Sequence, residues 1–231
     1  MSTLDNPTPA KPQTLYFGYG SNLWLHQMQL RCPTSQYLGV ARLPNYRWII
    51  NDRGYANVVE RGDTAEAEAE AKAEADAADQ AAAEASNSSA AAAATTTDAV
   101  YGLLYSLLPP DEARLDVNEG VPEAYTKETL GVDFWASDPR VRDGWVDVSG
   151  PAQGRDALVY VDRKRVAESR PRKEYVYRMN MGIRDAVEMG VPRGYVDAVM
   201  RKFIPDEGEG REKREVERVA MKQALNFVDE D

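Results

Sequence analysis

One tract of this chain cannot enter a hydrophobic core, and it splits the material that can. Residues 63–94 contain no Val, Ile, Leu, Met or aromatic side chain. Across residues 63–98, 17 of 36 positions are alanine, nine are carboxylates and one, Lys72, is a cation. A segment with no apolar surface to bury cannot offset its own ordering entropy by packing. The alternating Ala/Glu composition favours helix locally, but nothing on it would fix such a helix to the rest of the chain. The tract is therefore expected to be a mobile insert without chemistry. It also carries −8 of the formal net charge of −10. The other 195 residues hold 27 cations against 29 carboxylates, so the folding part is close to neutral.

That remainder has the size of one ordinary domain, and all 12 Tyr, 4 Trp and 4 Phe lie in it. Near-neutrality argues against nucleic acid as a partner, since such binders present a basic face. One basic run (Arg163, Lys164, Arg165, Arg170, Arg172, Lys173) is the place to look for anion binding, with a solvated surface as the simpler reading. A single cysteine, Cys32, excludes an intramolecular disulfide framework and fits a reducing compartment. One His and one Cys leave little from which to build a zinc site or a Cys–His nucleophilic pair. No apolar run reaches 18 residues, and the first 13, with three prolines, form a loose leader without a secretory pattern. The expectation is a cytoplasmic protein with no membrane partner and no metal.

Local patterns predict strands at 14–19, 37–43, 46–50, 55–60, 99–108, 125–135, 145–148 and 157–162, from β-prone runs bounded by Gly, Pro, Asn and Asp. A short helix is predicted over 23–30. Pro109, Pro110, Asp111 and Glu112 mark the start of a second helix that stops at Gly120. Val176, Met179, Ile183 and Val187 repeat at helical spacing, as do Tyr195, Val199 and Phe203. A charged helix over about 209–227 closes the chain. Strands first and helices last predict an α+β fold, with six or seven of these eight segments able to curl into a small mixed or antiparallel β-barrel flanked by helices. The domain spans 14–205, interrupted by the insert at 63–98 and followed by the charged helical segment 206–231.

Two short constellations could carry chemistry. Tyr16-Phe17-Gly18-Tyr19-Gly20-Ser21-Asn22 runs from a strand through a glycine turn toward a helix. Backbone N–H groups at such a turn can hold an anion or a developing oxyanion, and glycine allows close approach to a ligand. It is neither a phosphate loop nor a dinucleotide fingerprint, because the required Lys and third Gly are missing. A plain turn is the competing reading. Leu115-Asp116-Val117-Asn118-Glu119-Gly120-Val121 places Glu119 in the last turn of a helix. The negative end of the macrodipole and a dry pocket would both disfavour its ionisation, giving a carboxyl suited to shuttling protons. The competing reading is an exposed Glu beside a C-cap glycine, and Asp116 is the neighbouring candidate. His26 is read as a surface or packing residue, Cys32 as structural, and Ser21 as a hydrogen-bonding residue without a base to make it a nucleophile.

Taken together, Tyr19-Gly20-Ser21-Asn22-Leu23, the Leu115…Asp116…Glu119-Gly120-Val121 pattern and Pro171…Tyr175 resemble the γ-glutamylcyclotransferase family. Tyr101-Gly102-Leu103-Leu104-Tyr105 and the stretch from Met181-Gly182 to Gly190-Val191-Pro192 are similar to it as well. The resemblance covers about 14–205 without the insert. It implies a compact barrel and a cofactor-free lyase that releases an amino acid or amine as a γ-glutamyl group cyclises to 5-oxoproline. By that resemblance Glu119 falls on the catalytic glutamate. Tyr16, Phe17, Gly18, Tyr19, Gly20, Ser21 and Asn22 form the substrate loop, Tyr175 is a substrate contact, and a homodimer is expected. The partner is a small γ-glutamyl peptide. γ-Glutamyl amino acids are the leading substrates because Asn22 stands where glutathione-directed relatives usually have Leu; glutathione, a γ-glutamylamine, or a non-catalytic scaffold of the same fold are the alternatives.

Overall fold

The computed structural model describes residues 13–62, 98–138, 140, 144–206, 219 and 221–224. The leader, the Ala/Glu insert and most of the predicted C-terminal helix lie outside the described residues. Apolar alternation in the first third produces β1 (Thr14–Gly18), β2 (Gln36–Pro44), β3 (Tyr46–Ile50) and β4 (Ala56–Glu60), with α1 (Leu25–Arg31) between the first two. Then follow β5 (Ala99–Leu107), α2 (Pro109–Asn118), β6 (Thr126–Ala136), β7 (Gln153–Val161), α3 (Lys173–Glu188) and α4 (Arg193–Ala198).

Five strands close a barrel in the order β1-β5-β2-β6-β7, and β3 with β4 forms a separate hairpin. Neighbouring barrel strands run antiparallel except at the seam, where β1 meets β7 in parallel through Tyr16 opposite Leu158. The expected α+β barrel is thus present. Phe17, Val40, Leu103, Leu104 and Val159 have no exposed surface; since Phe17 pairs with Leu104 and Val40 with the adjacent Leu103, apolar side chains are packed on both faces of the barrel wall. Among the described residues no helix is long and apolar enough to cross a membrane.

The insert leaves the fold at a point where its two ends meet. Asn45 N donates to Asp98 O at 3.1 Å and Arg61 N donates to Asn45 O at 2.9 Å, while the Arg61 guanidinium pairs with Asp98. A long tract between two ends already held together adds little closure entropy.

Two local expectations are corrected. Residues 145–148 are not a strand: Val146 N donates to Met189 O at 2.9 Å, beyond the end of α3, and Asp147 Oδ1 accepts from Ser149 N at 2.9 Å in a side-chain turn. The segment thus takes its hydrogen bonds from a helix end and a turn instead of a ladder. The stretch from Tyr195 to Phe203 is not one helix either, because α4 stops at Ala198 and a 3-10 turn, Met200–Lys202, follows.

α3 matters most for the site. Its hydrophobic face buries Tyr175, Val176, Met179, Ile183 and Ala186, and Gly182 lets it touch the turn after β1. A Cβ on Gly182 would lie 3.0 Å from both Leu23 Cβ and Trp24 N, so a larger residue there would push the two elements apart by a few tenths of an ångström.

Candidate active site

β1 ends at Gly18, and the chain turns through Tyr19 and Gly20 into a 3-10 turn, Ser21–Leu23, whose three residues are all buried. Leu23 N donates to Gly20 O at 2.9 Å, which closes the turn and directs the Asn22 side chain inward. Its Nδ2 donates to Tyr16 Oη at 2.7 Å and to Glu119 Oε1 at 3.1 Å. Its Oδ1 accepts from Gln27 Nε2 at 2.8 Å and from Arg31 Nη1 at 3.1 Å. Tyr105 Oη donates to the Asn22 carbonyl at 3.0 Å. Every polar group of this buried amide is therefore engaged, as burial demands.

Glu119 arrives from the opposite side. Leu115 is fully buried and anchors α2, Glu119 N donates to Leu115 O at 2.8 Å, and Gly120 takes a φ of 62° to end the helix. The Glu119 carboxyl is thus placed at the helix C-terminus against Asn22. Burial raises its pKa above the ordinary 4.5, opposed by the Arg31 cation, the Asn22 hydrogen bond, and the Arg178 and Arg53 cations. Asp116, its neighbour, accepts from Tyr160 Oη at 2.8 Å and pairs with Lys127 at 3.1 Å, a structural use that leaves it outside the pocket lining.

Between Glu119 and α3 lies a pocket with about 480 Å³ of empty space, its open mouth included. Tyr175 forms one wall. Its Oη accepts hydrogen bonds from Ser21 N and Ala56 N, both at 3.2 Å. Its ring meets Tyr55 edge-on at 5.1 Å, and the Arg178 guanidinium lies 5.0 Å from its centroid. Arg178 is buried, its Nη1 donates to Ser21 Oγ at 3.3 Å, and burial, assisted by the Arg31 cation, pulls its pKa down to about 10. It remains charged near neutrality. Tyr125 and Tyr160 complete the lining and are tied to backbone and Asp116: Tyr125 Oη donates to Ala56 O at 2.9 Å and Tyr160 Oη to Asp116 Oδ1 at 2.8 Å. Burial raises the pKa of Tyr16, Tyr19, Tyr125 and Tyr175, so these phenols stay protonated.

Of the residues expected from sequence, Glu119, Tyr16, Tyr19, Gly20, Ser21, Asn22 and Tyr175 come together around this pocket. Phe17 and Gly18 do not line it. Alternation along β1 turns the Phe17 ring into the barrel core, and Gly18 packs against Tyr105 at the strand end. The Ser21 amide, expected to be one of the anion-holding N–H groups, is occupied by Tyr175 Oη. Arg31, Arg178, Tyr55, Tyr125 and Tyr160 also line the pocket and are not among the site residues expected from sequence. The i, i+4 spacing of Gln27 and Arg31 puts both on the α1 face toward Asn22, which is the available signal for Arg31; Arg178 gives none.

The other candidates sit apart. His26 is exposed beside Trp24, and Cys32 is buried with Sγ 3.7 Å from Asp111 O. In the basic run, Arg163 pairs with Glu60 and Glu128, and Arg165 with Asp162. Among the described residues no three His, Cys, Asp or Glu side chains come together as a metal-holding group.

The arrangement can do one kind of chemistry readily. A carboxyl with a raised pKa faces a pocket that carries two cations, so it can exchange a proton with a bound anionic small molecule.

No family model matches the sequence, and no curated protein matches it. Solved structures do match. One named gamma-glutamyl cyclotransferase superposes with a TM-score of 0.57 at 19% identity, over 91% of this chain and 99% of that one. An uncharacterized protein from Homo sapiens gives 0.56 at 19% identity, over 90% and 98%. YkqA from Bacillus subtilis gives 0.51 at 16% identity, over 87% of this chain and 57% of that one. This chain has the fold of the structure named gamma-glutamyl cyclotransferase.

Proposed function

We propose that the protein is a γ-glutamylcyclotransferase that converts γ-glutamyl amino acids to 5-oxoproline and the free amino acid. The observation that carries this reading is the Glu119 carboxyl, held at 3.1 Å by Asn22 at the floor of a pocket walled by the turn after β1 and by Tyr175.

The substrate's α-amine attacks its own γ-carbonyl, forming the ring C–N bond, and the bond from that carbonyl to the departing nitrogen breaks. The amine, with a pKa of roughly 8, must give up a proton to attack. Glu119 takes that proton and returns it to the leaving nitrogen, so one carboxyl serves both steps and ends as it began. Ring closure is intramolecular, which makes folding the substrate back on itself the main task of the pocket. Tyr175 has a second use here. Its oxygen accepts two backbone N–H groups, so its own O–H is left to donate into the pocket, where the carbonyl oxygen gains charge. This phenol takes over the role expected of the Ser21 amide. Arg178 and Arg31 supply a positive field suited to the substrate's carboxylates.

Incubation with γ-glutamyl-alanine, glutathione and a γ-glutamylamine, followed by quantitation of 5-oxoproline, tests the reading. Preferred turnover of γ-glutamyl-alanine supports it; preference for either other compound reassigns the substrate. Absence of 5-oxoproline from all three leaves the scaffold reading in its place.

A further inference from the structure

Arg31 is an unusual residue to find buried. It is 4% exposed, and burial disfavours its charged form, an effect the nearby Glu119 charge opposes. Each of its three nitrogens donates to a neutral oxygen: Nη1 to Asn22 Oδ1 at 3.1 Å, Nη2 to Gln223 O at 3.0 Å and Nε to Ala224 O at 3.0 Å. Two of these three acceptors are main-chain carbonyls from nearly 200 residues further along the chain. Ala224 itself has no exposed surface and packs against Trp24 and Tyr177.

The Asn22 amide is thereby fixed in one of its two orientations. Gln27 Nε2 and Arg31 Nη1 both point hydrogens at Oδ1, and neither nitrogen can accept. Flipping the amide would set an NH2 group against two donors and turn its oxygen toward the Glu119 carboxylate. With Oδ1 clamped, Nδ2 has to face Glu119 and Tyr16.

We infer that Arg31 is a positioning residue for Glu119, acting through the Asn22 amide, and that the C-terminal carbonyls of Gln223 and Ala224 are its seat. The segment 221–224 therefore belongs to the working parts of the site although it touches no substrate. As a statement about catalysis this rests on the proposed cyclotransferase activity; as a statement about Glu119 it does not.

Glu119 is faced by Arg31 from α1, Arg178 from α3 and Arg53 from the β3–β4 turn. Tyr16 from β1, Tyr19 from the turn after it, Cys32 just past α1, Tyr125 beside β6, Tyr160 from β7 and Tyr175 from α3 also couple to it. The tyrosines stay neutral, so removing one cation alters the carboxyl most directly.

The test follows the Glu119 carboxyl by ¹³C NMR in glutamate-labelled full-length protein, with Glu119→Gln identifying its signal, and needs no substrate. Arg31→Met is expected to raise the Glu119 midpoint by about one pH unit, and Arg31→Lys, which keeps the charge, by much less. Ala224→Trp, which lifts the segment off Arg31 without adding charge, is expected to move the midpoint in the same direction as Arg31→Met. In turnover, Arg31→Met should lower kcat about tenfold with little change in KM, and Arg31→Lys should recover part of it. A folded Arg31→Met protein whose Glu119 titration overlays wild type overturns the inference. Should that variant fail to fold, an Ala224→Trp titration that overlays wild type overturns it equally. Wild-type protein without turnover removes the cyclotransferase proposal and leaves the titration result standing.

Discussion

Asn22 and Glu119, 97 positions apart, share a hydrogen bond of 3.1 Å between Nδ2 and Oε1. That contact joins the turn after β1 to the end of α2, the two places where the sequence departs from ordinary packing chemistry. It also sets the electrostatics of the pocket, because the amide donates to the ionised carboxyl while burial works against ionisation.

Tyr175→Phe removes the acceptor of two buried backbone N–H groups, those of Ser21 and Ala56. Leaving buried donors without partners costs about 1–3 kcal/mol each. Urea denaturation should show a loss of about 2–4 kcal/mol, and kcat should fall about 10²-fold or more from the missing O–H donor. Unchanged stability would mean that these N–H groups find other acceptors.

Gly20→Ala should damage function more than folding. Gly20 has a φ of −107°, which other residues adopt, but a Cβ there would sit 2.9 Å from Tyr175 Oη and 3.2 Å from Ala56 Cβ. The phenol sits on a rigid ring and has to move with the ring. A drop in kcat/KM of about 10–10²-fold, with a melting temperature only a few degrees lower, is the expected result.

The raised pKa of Glu119 has a consequence for stability. Protonated Glu119 is the form the folded pocket favours, so its stabilisation is complete below the unfolded value of 4.5 and is lost as pH rises through the folded value. Glu119→Gln carries no such dependence. The variant should therefore be more stable than wild type at pH 7, by about 1.4 kcal/mol for each pH unit that separates the folded midpoint from the unfolded one, and the gap should close as pH falls below 4.5. Thermal melts of both proteins across that range check the sign; a wild type more stable at pH 7 contradicts it.

Cys32 is expected to be inert. Its side chain is 1% exposed and burial pushes the thiol up to about 12, far from the range in which thiolates react. A disulfide reagent at pH 8 should leave the native thiol unmodified and titrate one thiol after addition of guanidinium. Rapid reaction in the native state would place Cys32 at an accessible surface.

Much of this site can be read from local chemistry. Glycine turns and helix C-caps depend on a few adjacent residues, so the turn at Gly20 and the end of α2 before Gly120 are visible in the sequence. The barrel is visible as a class, because its strands are short β-prone runs between turn residues. What stays hidden depends on pairing at a distance. The parallel seam between β1 and β7 rests on Tyr16 meeting Leu158, which no strand pattern encodes. Residues 145–148 resemble a strand by composition, yet a helix end supplies their hydrogen-bond partner. Arg31 and Arg178 escape notice in the sequence because arginine is ordinarily a surface residue. Only the assembled pocket, with the Ser21 hydroxyl, the Asn22 amide and the C-terminal carbonyls in place, makes their burial tolerable.

The most direct measurement is 5-oxoproline formed from γ-glutamyl-alanine by wild type and by Glu119→Gln under identical conditions. Wild type should release 5-oxoproline and alanine in equal amounts, and the variant, folded by circular dichroism, should be slower by about 10²–10⁴-fold, the range expected when a proton-transfer group is removed. Equal rates from the two proteins would contradict the role given to Glu119.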